Sequence, residues 1–90
     1  MAVEEVFREA FTSLEVNDDF SEAVLRMRDG SQLCFCHRVG QRWAKAVGAG
    51  LADQMLPLIA LFRLNARHLD VGFHDGSRWE ARFGDSRQAR

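Results

Sequence analysis

Two short segments, Arg28-Asp29-Gly30-Ser31 and His74-Asp75-Gly76-Ser77, repeat one turn signal inside a chain of 90 residues. An Asp-Gly pair between alternating apolar residues favours a β-hairpin, because glycine adopts the positive φ that a tight turn needs. Two such pairs in so short a chain settle most of what it can fold into.

The hydrophobic pattern chooses the register of the second hairpin. A two-residue loop would pair Phe73 with Arg78 and Val71 with Glu80, scattering apolar side chains over both faces. A three-residue loop with Gly76 left-handed, a type I turn followed by a bulge, pairs Phe73 with Ser77, Val71 with Trp79 and Leu69 with Ala81. Leu69, Val71, Phe73, Trp79, Ala81 and Phe83 then share one face, and His68, Asp70, Arg78, Glu80 and Arg82 the other. A one-residue slip would exchange the faces, so the bulged loop is preferred.

The same rule gives the first hairpin an inner face of Ala23, Leu25, Met27, Leu33 and Phe35. Its outer face is Val24, Arg26, Gln32, Cys34, Cys36 and Arg38. A turn at Gly40-Gln41 adds a third strand over residues 42–47, placing Phe35 opposite Ala46 and Cys36 opposite Lys45. Trp43 and Val47 then join the outer face. Helix propensity in Trp43-Ala44-Lys45-Ala46 leaves a helix open for this segment.

Val3, Val6, Phe7, Ala10, Phe11 and Leu14 recur at spacings of three and four, the mark of an amphipathic helix. Asn17-Asp18-Asp19 ends it as a turn. After Gly48-Ala49-Gly50, the segment from Leu51 to Leu64 reads as a second, well-buried helix. Pro57 fits its first turn if the cap lies near Asp53 or Gln54. The expected fold is a two-layer α+β domain over residues 1–84, its antiparallel sheet a β-meander plus a β-hairpin, in the order α-β-β-β-α-β-β. Residues 85–90 are expected to form a disordered tail.

Hydrophobic residues make up 47% of the chain and charged residues 28%, ordinary values for a globular protein. No apolar run reaches the roughly 18 to 20 residues of a membrane span, so no membrane partner is expected. The acidic N-terminal helix lacks the pattern of a secretory signal, and the expected location is cytoplasmic. Charge is uneven: residues 1–22 carry seven acids against Arg8, whereas residues 26–45 carry five basic residues against Asp29.

Cys34-x-Cys36-His37 has metal-ligand residue types. Structural zinc sites, however, favour two to four residues between cysteines, at a turn where the sulfurs converge. On a strand, His37 points away from both thiols, and Cys34 and Cys36 lie about 6 to 7 Å apart, too far for a disulfide. No metal or other cofactor is expected. Cys36, His37, His68, Asp70 and His74 are the acid–base and nucleophile types present, yet no phosphate loop or nucleophile elbow accompanies them. No catalytic residue is assigned, and the protein is not expected to be an enzyme.

The meander is instead apolar on both faces, which points to an interaction surface. Val24, Cys34, Cys36, Arg38, Arg42, Trp43 and Val47 are its candidate residues, most simply as a homodimer of sheet against sheet. Another protein is the second candidate partner. The alternative is a nucleic-acid-binding module using Arg26, Arg28, Arg38, Arg42 and Lys45, which the sequence pI of about 6.3 disfavours.

The order helix, three strands, helix, two strands resembles that of the class I chaperones of type III secretion without their last helix. The resemblance spans most of the chain and rests on element order, with no shared motif residues. It implies a small dimeric α+β protein that binds extended segments of secreted proteins.

Overall fold

The computed structural model describes residues 1–83. The chain is a two-layer α+β fold in which two antiparallel sheets and two short helices enclose one core. Helix α1 (Val3–Ala10) runs directly into β1 (Phe11–Val16), followed by β2 (Glu22–Met27), β3 (Gln32–Arg38) and β4 (Gln41–Val47). Helix α2 (Leu51–Met55) continues as a 3₁₀ turn (Leu56–Leu58) into β5 (Ile59–Leu64), β6 (His68–Phe73) and β7 (Arg78–Arg82). Strands β1-β2-β3-β4 form one sheet and β5-β6-β7 the other.

Both Asp-Gly hairpins have the bulged register. Leu25 opposes Leu33 and Ala23 opposes Phe35, while Val71 opposes Trp79 and Leu69 opposes Ala81. In each loop the glycine N–H returns to the last strand residue, Gly30 to Met27 and Gly76 to Phe73, at 3.1 and 3.0 Å. Both glycines sit at positive φ, +91° and +88°, where a side chain would be strained.

The helices are shorter than the spacing predicts, and the order becomes α-β-β-β-β-α-β-β-β. Helix α1 stops at Ala10, and Phe11 and Leu14 lie on a strand. Helix α2 begins at Leu51 rather than near Asp53. Pro57, which cannot donate an N–H and crowds the carbonyl four residues back, ends it as a 3₁₀ turn. Residues 59–64 are therefore a strand. Residues 42–47 are also a strand, but Val39 and Gly40 form its turn, so Phe35 opposes Ala44 and Cys36 opposes Trp43. That register lies two residues from the expected one, and a shift of two keeps every side chain on its face. The element order that carried the resemblance to secretion chaperones is not the order the chain adopts. The expected tail at 85–90 lies outside the described residues.

The two halves of the chain are built alike. Helix, bulged strand, turn, strand, Asp-Gly loop and strand recur in register, at an offset of 48 positions for the helix and first strand (Val3 to Leu51) and 46 beyond (Asp29 to Asp75). The bulge between Phe11 and Ser13 recurs between Ile59 and Leu61. Asn17 Oδ1 accepts the Ser21 and Glu22 N–H groups, and Asn65 Oδ1 accepts those of Arg67 and His68. The turn after Asn17 is two residues longer than the turn after Asn65, which accounts for the change of offset.

Each half closes the helix of the other. The first N–H groups of a helix have no partner within it. Those of α1 are met from the second hairpin: Val3 N–H donates to Asp75 Oδ2 at 2.8 Å and Glu4 N–H to Ser77 Oγ at 3.1 Å. Those of α2 are met from the first: Leu51 N–H donates to Asp29 Oδ2 at 2.7 Å and Ala52 N–H to Ser31 Oγ at 3.0 Å. Gly50 precedes α2 because a Cβ there would overlap Asp29 Oδ2. Between the sheets, Phe7 is fully buried, with ring centroids 5.0 Å from Phe73 and 5.2 Å from Trp79. Phe35 meets Phe62 at 5.1 Å, joining the two layers.

Candidate interaction surface

Strand alternation sorts the four-stranded sheet into two faces. Leu14, Val16, Ala23, Leu25, Met27, Leu33, Phe35, Ala44 and Ala46 belong to the core. Across the outer face, cross-strand pairing sets two rows: Glu15, Val24, Cys34 and Lys45, then Glu22, Cys36 and Trp43. Gln32 opposes Val47 at one end and Arg38 opposes Gln41 at the other.

Six of the seven candidate residues, Val24, Cys34, Cys36, Arg38, Trp43 and Val47, share this face. Val24, Cys34 and Trp43 are half-buried and Val47 is 45% exposed. Cys36, between Glu22 and Trp43 in register, is only 1% exposed and serves as floor rather than contact. Arg42 does not belong. Being adjacent to Trp43 on its strand, it points to the opposite face, where its guanidinium donates to the Phe62 carbonyl and lies 5.2 Å from the Phe62 ring centroid. It spans the gap between the edges of the two layers.

Two charged residues outside the candidate set frame the patch. Glu15 stands at its β1 border, opposite Val24, on a segment whose spacing predicts a helix. Lys45 stands at the β4 border, with Nζ 4.8 Å from the Trp43 ring centroid. That distance gives a cation–π contact and holds the indole over the sheet. Arg38 is engaged by Glu22 and by Ser21 Oγ.

Both cysteines are free, and burial, with Glu22 nearby, pushes the Cys34 thiol above its ordinary pKa despite an opposing pull from Lys45. His37 pairs with Arg42 on the other face, away from both. Among the described residues, no group of three or more His, Cys, Asp or Glu side chains could hold a metal ion.

The outer face of the three-stranded sheet carries the charged ladder anticipated from its register. Asp70 opposes Glu80 and His68 opposes Arg82, while the close contacts run diagonally. Arg78 Nε lies 3.1 Å from Asp70 and His68 Nδ1 lies 2.6 Å from Glu80. The carboxylates and the imidazole of this ladder are mostly covered, whereas the Arg78 and Arg82 side chains reach solvent.

No protein-family model, no curated protein and no solved structure matches the chain. No helix among the described residues is long and apolar enough to cross a membrane.

Proposed function

We propose that the chain is a small, non-catalytic protein-interaction domain of the cytoplasm that pairs with a second copy of itself through the outer face of the four-stranded sheet. The observation that carries this reading is the outer-face set of Val24, Cys34 and Trp43, with Val47 beyond Lys45 on β4, bordered by opposite charges. A twofold axis running along the strands between β2 and β3 would lay Val24 of one copy over Cys34 of the other. The same operation lays Glu15 over Lys45, so both borders become complementary. An axis along the row would instead oppose Glu15 to Glu15.

The arginines behind the nucleic-acid alternative are dispersed. Arg28 lies in a turn, Arg42 faces the other layer, and Arg38 is paired with Glu22. Only Arg26 and Lys45 join Arg38 on the patch face, against Glu15 and Glu22. Nothing in that balance favours a polyanion.

Sedimentation equilibrium of the wild-type chain and of Trp43→Ala tests the reading. The wild type is expected to show a concentration-dependent dimer. Removing the indole, with its aromatic area and its contact to Lys45, is expected to weaken association by at least tenfold. A wild-type chain that stays monomeric at millimolar concentration contradicts the proposal.

A further inference from the structure

The internal repeat makes the two sheets comparable strand by strand, and they differ in one respect. In the four-stranded sheet, β4 pairs along the outer side of β3, meeting Gln32, Cys34, Cys36 and Arg38. The counterparts of Gln32, Cys34 and Cys36 on β7 are Arg78, Glu80 and Arg82. The bonds from Phe73 N–H to Ser77 C=O and from Phe83 N–H to Arg67 C=O mark the residues of this hairpin that bond across the ladder. Every second residue does so, which turns the backbone N–H and C=O of Arg78, Glu80 and Arg82 away from β6. Among the described residues, no strand pairs with them.

We propose that this edge of β7 takes up an extended segment of a partner protein as an added antiparallel strand. The segment would carry acidic residues opposite Arg78 and Arg82, a basic residue opposite Glu80, and small side chains between. Charge complementarity sets the first part of that pattern. The Arg78 and Arg82 side chains are 63% and 68% exposed; Arg78 reaches Asp70 at 3.1 Å, Arg82 approaches Glu80 only at 3.8 Å, and Glu80 is held by His68 on its other oxygen. The repeat sets the second. Ala46 and Ala44 of β4 oppose Leu33 and Phe35, whose counterparts are Trp79 and Ala81. Helix α2 packs on β3 and β4 together, whereas α1 packs on β7, the counterpart of β3, with no strand beyond it among the described residues.

A second copy fits this edge poorly. Antiparallel self-pairing centred on Glu80 opposes Glu80 to itself and Arg78 to Arg82. Centring it on Trp79 opposes two indoles, and centring it on Ala81 sets Phe83 against Trp79, at inward positions where β4 carries alanine. The partner is therefore a different chain. This inference does not rest on the dimer, which uses the other sheet.

The test uses the full chain, nitrogen-15 labelled, and the capped peptide Ala-Glu-Ala-Lys-Ala-Glu-Ala. The peptide is expected to shift and slow the exchange of the Arg78, Glu80 and Arg82 amides. The charge-inverted peptide Ala-Lys-Ala-Glu-Ala-Lys-Ala is expected to bind about tenfold more weakly, since three cross-strand pairs turn repulsive. The double variant Arg78→Glu, Arg82→Glu should favour the inverted peptide. If that variant does not fold, the two peptides on the wild-type chain still decide the matter. No response at millimolar peptide, equal response to both peptides, or a response confined to β4 or β5 overturns the proposal. So does protection of the three amides in the free chain, whether constant, from its own residues, or rising with concentration, from a second copy.

Discussion

Asp29, Ser31, Asp75 and Ser77 act twice, once in their own hairpins and once at the helix of the other half. In each pair one carboxylate oxygen accepts the serine N–H and hydroxyl, and the other accepts a helix N–H. Ser31 is buried and its hydroxyl takes the Ala52 N–H, so Ser31→Ala leaves that donor unmet. The cost is about 1 kcal/mol, a fall in Tm of roughly 4 to 8 °C by thermal unfolding. The Ser31 hydroxyl, the Leu51 N–H and the Ser31 N–H hold Asp29 below the ordinary carboxylate value of 3.8. The Ser77 hydroxyl, the Val3 N–H and the Ser77 N–H do the same for Asp75. Because the folded value is depressed, this stabilisation is complete above the unfolded value and is lost as pH falls through the folded one. Stability measured by denaturant is expected to decline below about pH 3.8, and less steeply in Asp29→Asn and Asp75→Asn. An unchanged acid limb in both variants would show that other carboxylates set it.

At the scale of elements, the Asp-Gly hairpins were legible because their information is local: one turn residue pair and a strict alternation on either side. The equivalence of the two loops makes Gly30→Ala and Gly76→Ala comparable. Each puts a side chain at positive φ in open space and is expected to cost about 1 to 2 kcal/mol in urea unfolding. A silent substitution at either site would contradict the bulged-turn assignment there. Strands β1 and β5 were illegible for a physical reason. The bulges at Thr12 and Ala60 insert one residue, so inward-facing Phe11 and Leu14, like Ile59 and Phe62, fall three apart instead of two. That spacing is the signature of a helix, and each bulged strand follows a true helix without a break. Pro57 marked the end of α2 rather than its beginning, a choice only the buried Ala52 and Met55 on the preceding turn resolve. At the candidate patch, alternation gave the faces of Cys34, Cys36 and Trp43 without the structure. Arg42 was grouped with them by composition, although its place next to Trp43 on a strand already put it on the other face. Glu15 could not be found until its segment was known to be a strand.

The whole molecule is two similar α-β-β-β units that cannot be separated without exposing the ends of both helices. Sequence identity between the units survives at Asn17 and Asn65 and in the Asp-Gly-Ser turns, where side chains direct the backbone. Core positions such as Leu25 and Val71, or Met27 and Phe73, keep only their apolar character. What breaks the likeness, within the described residues, is β4, and β4 supplies Trp43, Lys45 and Val47 to the proposed dimer face. The central claim is that two copies meet there with Glu15 over Lys45. A charge-reversal cycle followed by sedimentation tests it most directly. Glu15→Lys and Lys45→Glu should each weaken the dimer several-fold, and the double variant should recover most of the wild-type association. Single variants that associate as the wild type does, or a double variant weaker than either, would contradict the account.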